Sequence, residues 1–240
     1  MALSSLSKDI LAFLNSYPDG DSSDIDTNFR FYSNVHPGLP SVFTIDQLLD
    51  ELDGNFEELE NNHGFIQWLF PIREMGMNWR AVPLQPSEIT LITSSPACMA
   101  RYKRSYEVIL HFYGFLCVDF STGQLARNDA AGWKSRYQNL SRNSHNWLRI
   151  TRILKCNKLG KEHWNGAFLL YILIEQQQGY LNKSSLVRSM DTYWMWCIRN
   201  VPDRQYVVSV IKSVRNGAEW TETDYVNALE RKKRTGTFQD

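Results

Sequence analysis

In 240 residues, 26 Lys and Arg balance 26 Asp and Glu, so the chain carries no formal net charge and is not built as a general polyanion or nucleic-acid binder. With 43% hydrophobic residues it has enough apolar content for a sizeable core, in one large domain or two small ones. No apolar run approaches membrane-spanning length, the longest being Ala167–Ile174, so no transmembrane segment is expected. Cys98, Cys117, Cys156 and Cys197 are scattered without a C-x-x-C pair, and Met1–Tyr17 holds no secretory apolar core. Both features point to reduced thiols in an intracellular protein, cytoplasmic or nuclear. The overall balance hides an asymmetry: residues 1–60 are acidic except for Lys8 and Arg30, and residues 127–161 are basic except for Asp129. The two segments either dock on each other or leave one facing a charged ligand.

In chain order, Leu3, Leu6, Ile10, Leu11, Phe13 and Leu14 predict a short amphipathic helix ending near Pro18-Asp19-Gly20. Asp19–Thr27 reads as an acidic linker. Thr44 is placed to cap a helix through Leu52, with Gln47 completing a capping box. Phe56, Leu59, Ile66 and Phe70 then recur at near-helical spacing, and Phe65, Trp68 and Leu69 fill the adjoining positions. A helix without a wet face belongs in a core, and Pro71 should end it. The loop beyond carries Arg73, Met75, Met77, Trp79 and Arg80.

Pro86-Ser87 opens another helix, and Ser95-Pro96 a longer one on which Tyr102, Tyr106, Ile109 and Tyr113 share a face. Gly114 should stop it in the left-handed conformation. Trp133, Tyr137 and Leu140 lead into Asn143–Gly160, where Trp147, Ile150 and Leu154 share one face and His145, Arg149 and Arg152 another. Leu169–Leu173, Leu186–Ile198, Gln205–Val214 and Glu222–Arg234 complete the predicted helices, the last capped by Thr221. Tyr206–Val210 also fits a short strand by β-branching. The expectation is an all-α fold: a single compact multi-helix domain with a buried central helix.

Three constellations could carry chemistry. His145, Arg149 and Arg152, aligned on one helical face, suit a carboxylate or phosphate, although pairing with acidic Asp46–Glu60 is the commoner use of such a stripe. Arg73 and Trp79, with Trp68 and Arg80, could form a cation–aromatic anchor, or simply brace a core. Glu60 with His63, and Glu107 with His111, fall short of the paired E-x-x-H set of a di-iron bundle, so neither metal nor cofactor is expected. His63 is expected to cap a helix or to hydrogen-bond within the core. No nucleophile elbow, phosphate-cradling glycine loop or H-E-x-x-H is present, so the chain is not expected to be an enzyme. A helical-bundle enzyme or metal protein remains the alternative.

The run NNHGFIQWLFPIREMGMNWRAVPL resembles the signature of the opioid growth factor receptor conserved domain, in which H-x-(Y/F)-I-Q-W-L-F-P leads into R-E-x-G-x-N. RSYEVILHFYG followed by Ser121-Thr122-Gly123, RNSHNWLRITRILK, and Asn28–Tyr32 are similar to further family segments. Two departures stand out, Gly64 where relatives carry Ser and Trp147 where they carry a polar residue. The resemblance covers residues 28–200 as the conserved domain, with 1–27 read from the residues as an N-terminal helix and acidic linker and 201–240 as C-terminal helices. It further implies a binding protein for a short enkephalin-type peptide or other anionic ligand that restrains growth, with any membrane association peripheral. His145, Arg149, Arg152, Arg73 and Trp79 are the residues expected to meet that ligand.

Overall fold

The structure, a computed structural model, describes residues 6–17, 25–156 and 159–239. Leu3, the turn expected at Pro18-Asp19-Gly20 and the acidic residues through Asp24 lie outside the described residues. In chain order the helices are α1 (Lys8–Leu14), α2 (Thr27–Tyr32), α3 (Ile45–Leu52), α4 (Phe56–Asn61), α5 (Ile66–Leu69), α6 (Pro86–Ser94) and α7 (Pro96–Tyr113). A hairpin of β1 (Phe115–Asp119) and β2 (Gln124–Arg127) follows. Then come α8 (Trp133–Arg142), α9 (His145–Cys156), α10 (His163–Gln177), α11 (Ser184–Thr192), a 3-10 turn at Trp194–Trp196, α12 (Val201–Arg215) and α13 (Glu222–Thr235). The fold is therefore mainly helical, as expected, apart from the small antiparallel hairpin. No helix among the described residues is long and apolar enough to cross a membrane. The chain divides into two compact units, Asp19–Phe112, and Met1–Pro18 together with Tyr113–Asp240.

The smaller unit is built around the Trp68 segment, but not as one continuous helix. The expected helix breaks between α4 and α5, because Asn62 Oδ1 accepts the Gly64 N–H at 2.7 Å while its amide donates to Glu58 Oε1 at 2.7 Å. An asparagine side chain that bonds the backbone two residues on competes with helix continuation. Phe65, Ile66, Trp68, Leu69 and Phe70 are all buried. Phe70 leaves the helix at φ −134°, ψ 72°, outside the α region that the following Pro71 disfavours. Thr44 caps α3 as expected, its N–H donating to Gln47 Oε1 at 3.0 Å. The acidic face of α3 is taken up locally: Asp46 receives Arg101 at 2.8 and 2.9 Å, and Asp50 receives Arg104 at 2.6 Å, both from α7.

The larger unit surrounds α10, which is buried on every side from Trp164 to Gln176. Gly114 sits at φ +89° and turns the chain into the hairpin, where an added Cβ would lie 2.9 Å from Arg136 Cβ. The C-terminal helices close over α10. Trp220 Nε1 donates to Leu170 O at 3.1 Å, and the Phe238 ring lies against Gly166. Tyr206–Val210 belongs to α12, so the strand alternative fails there: Pro202 supplies a first-turn residue that lacks an N–H, and Asn200 Oδ1 accepts the Asp203 N–H at 3.0 Å. Thr221 caps α13 through Asp224, with Thr221 Oγ1 accepting the Asp224 N–H at 3.1 Å.

Candidate ligand-binding site

The residues that periodicity places on one stripe of α9 differ in how deeply they are covered. In α9 the buried arc runs through Asn146, Arg149, Ile150, Ile153 and Leu154. Arg149 is 4% exposed and gives Nη1 to Asn146 Oδ1 at 3.1 Å, while His145 and Arg152 are half-buried. The α9 residue most open to solvent is instead Leu148, at 72%. Arg149 and Arg152 therefore do not present a paired surface fork. Packing of the apolar positions on either side of Arg149 carries its guanidinium inward.

The signature loop of the smaller unit divides in the same way into inner and outer positions. Gln67 is buried, and a Cβ on Gly76 would lie 1.9 Å from its Oε1, so any larger residue at 76 would displace the Gln67 amide. Asn78 Nδ2 donates to Leu39 O at 2.9 Å, the same carbonyl that accepts Trp68 Nε1 at 2.6 Å. These residues brace two loops against the Trp68 segment. Arg73 is half-buried. Trp79 is 74% exposed with the Arg80 guanidinium 5.0 Å from its ring, and Met77 is 96% exposed. Trp68 is thus core and Trp79 surface.

Neither metal candidate assembles. His63 is exposed rather than in the core, and it lies beyond the end of α4, so it does not share a helical turn with Glu60. Among the described residues no group of three or more His, Cys, Asp or Glu converges as a metal site requires.

A centre that sequence spacing does not bring together forms in the larger unit. Arg127, at the end of β2, extends from the hairpin to α10, where Nε meets the two Glu175 oxygens at 3.0 and 3.1 Å and Nη2 meets Oε2 at 2.8 Å. Its guanidinium lies 4.2 Å from the Trp133 ring centroid and 4.9 Å from that of Tyr180. Burial and the nearby Glu175 charge push the Tyr137 and Tyr171 hydroxyls well above the usual phenol range. Arg127 is the reason this wall is rigid: an ion pair with a buried carboxylate and two aromatic faces fix one side chain.

Two clefts flank the wall. One, of about 380 Å³, is lined by Arg127, Asp129, Tyr171, Glu175, Glu222 and Tyr225 among others, and is predominantly acidic. The other, of about 440 Å³, lies between α8 and the turn leading into α11, and its lining includes Lys134, Tyr137, Arg142, Tyr180 and Lys183. No carboxylate lines this second cleft. Lys134, Arg142 and Lys183 are exposed, and Tyr180 stands edge-on to Trp133 with ring centroids 5.0 Å apart. Lys134 and Arg142 fall within the basic stretch read from sequence. Tyr180 and Lys183 arrive from beyond α10, and no local pattern marks them.

Comparison with known proteins bears on the family resemblance alone. The opioid growth factor receptor (OGFr) conserved region matches residues 21–225. The chain is similar to the opioid growth factor receptor of Homo sapiens, 37% identical over 209 residues covering 84% of this chain and 30% of that protein. It is also 34% identical to opioid growth factor receptor-like protein 1 of Mus musculus, over 82% of this chain and 43% of that protein. The corresponding Xenopus tropicalis protein is 35% identical over 70% of this chain and 33% of its own length. The chain thus spans less than half the length of these relatives. No solved structure matches it. With the conserved region covering most of its residues, the chain belongs to the opioid growth factor receptor family.

Proposed function

We propose that this chain is a peptide-binding protein of the opioid growth factor receptor family, which recognises a short enkephalin-type peptide and restrains growth by binding rather than by catalysis. The observation that carries the reading is the cleft between α8 and the α11 turn, which joins aromatic walls from Tyr137 and Tyr180 to three cations. Its volume of about 440 Å³ suits an aromatic side chain together with a polar end group. Relatives named as opioid growth factor receptors support the ligand class. Four free cysteines suit an intracellular setting, cytoplasmic or nuclear.

Calorimetry with an enkephalin pentapeptide tests the proposal. Saturable binding should appear and should raise the melting temperature, since a ligand bound only by the folded state stabilises it. Tyr180→Ala should weaken that binding. Absence of heat and of any melting shift at about 1 mM peptide, the weak end of specific recognition, would sink the reading.

A further inference from the structure

We infer that the cleft reads the free C-terminal carboxylate of its peptide, so that the bound chain enters with its C-terminal end facing Arg142 and Lys183. This rests on the reading of the cleft as the peptide site, and adds the polarity of the ligand.

The first observation is charge. Lys134, Arg142 and Lys183 line the cleft without a carboxylate among its lining residues, and all three are exposed. None of them forms an ion pair among the described residues. Other cations of the larger unit are matched by acids, among them Lys155 by Asp9 at 3.2 Å and Arg215 by Asp191 at 3.0 Å, whereas among the described residues Lys134 meets only the Trp133 ring, 5.5 Å from its centroid. An unmatched trio around one concavity is complementary to an anion.

The second is backbone geometry. Asn182 and Lys183 lead directly into α11, and among the described residues no side chain caps its first turn. The positive end of α11 begins one residue beyond the cleft lining, and its dipole favours negative charge beside Lys183. The turn holding it there is strained. Leu181 is buried with φ +47°, a left-handed conformation that costs a branched side chain energy and is found where a site needs it.

The third is the aromatic wall. Tyr180 is fixed edge-on to Trp133 and under the Arg127 guanidinium, leaving a ring face for an aromatic residue close to the carboxylate. A planar carboxylate gains two parallel bonds from Arg142, whereas an amide at the same end would bring N–H donors against cations.

The test uses one enkephalin pentapeptide in three forms, the free acid, the C-terminal amide and the N-acetylated acid, titrated into the full chain. The free acid should bind at least about tenfold more tightly than the amide, as loss of a charge-assisted contact requires. N-acetylation should change affinity by less than about threefold. Arg142→Ala/Lys183→Ala should weaken the free acid at least about tenfold and the amide by less than about threefold, so that the difference between the two forms is lost. Both side chains are exposed, so the variant's melting temperature should match that of the parent. Equal binding of acid and amide, or loss on N-acetylation alone, would overturn the inference while the peptide reading stands. Failure of all three forms to bind would overturn both.

Discussion

Arg127 gives Nε and Nη2 to the carboxylate of Glu175, whose side chain is 1% exposed, while its own is 29% exposed. The acid is thus sealed inside the larger unit by a cation that still reaches the surface, and the aromatic wall of the cleft hangs on that pair. Arg127→Met should cost roughly 3 kcal/mol of stability, because it leaves a buried charge without its partner. Adding Glu175→Gln should return much of that loss, since the amide removes the stranded charge. Urea denaturation of the two variants checks this, and a double variant no more stable than Arg127→Met would refute it.

In the smaller unit the comparable centre is Glu88, fully buried within the first turn of α6. It accepts the Asn28 N–H at 2.6 Å, Asn28 Nδ2 at 2.9 Å, the Phe29 N–H at 3.2 Å and the Gln85 N–H at 2.8 Å. One carboxylate therefore ties the start of α2 to the start of α6. Glu88→Gln keeps the shape but turns an amide donor toward N–H donors, so a loss of about 2 kcal/mol or more is expected. A variant with an unchanged urea midpoint would show that the cluster contributes little.

What was legible in the sequence was whatever rests on local periodicity and capping. Thr44, Thr221 and Gly114 act where their side chains or φ preferences predict, and the Tyr102–Tyr113 face of α7 is buried as its spacing requires. Asn62 was not legible as a helix break, because Asn tolerates both helix and Asx turn and only the Gly64 N–H decides between them. β1 and β2 are too short to show alternation. Periodicity puts His145, Arg149 and Arg152 on one face of α9 but does not tell what covers that face, and the structure buries Arg149 there. The cleft was hidden for a different reason. Tyr180 and Lys183 meet Lys134 and Arg142 only through the whole length of α10, a relation that no sequence window contains.

Gly166 and Phe238 make a second pair whose sign can be tested. A Cβ at Gly166 would lie 2.4 Å from Phe238 Cε2, so α10 carries a glycine where the C-terminal ring seats. Gly166→Ala should cost roughly 1–3 kcal/mol, since an aromatic ring cannot bend away as a flexible chain end can. In a Phe238→Ala background the same change should become stabilising by up to about 1 kcal/mol, because alanine is the better helix former once the ring is gone. A double-mutant cycle read by thermal denaturation checks the reversal. If Gly166→Ala were equally costly in both backgrounds, the ring would not be the cause.

The buried tyrosines of the larger unit set its response to alkali. Burial, as the largest cause, pushes the Tyr137, Tyr171 and Tyr225 hydroxyls above their usual value of 10.0, and the Glu175 charge adds to this for Tyr137 and Tyr171. A group with a raised pKa contributes stability that is fully present below its unfolded value and is lost as pH rises through the folded one. Above pH 10 the unfolded chain therefore releases protons that the folded chain retains, and stability should fall as pH increases. Each tyrosine held protonated contributes roughly 1.4 kcal/mol per pH unit to that slope. Urea unfolding measured from pH 9 upward should show a steepening loss above about pH 10, with Tyr137→Phe reducing the slope by about one proton. Ultraviolet absorbance of phenolate gives the independent check: these three rings should ionise together with unfolding. Their reversible titration near pH 10 in protein that keeps its native circular dichroism would contradict the burial on which the aromatic wall depends.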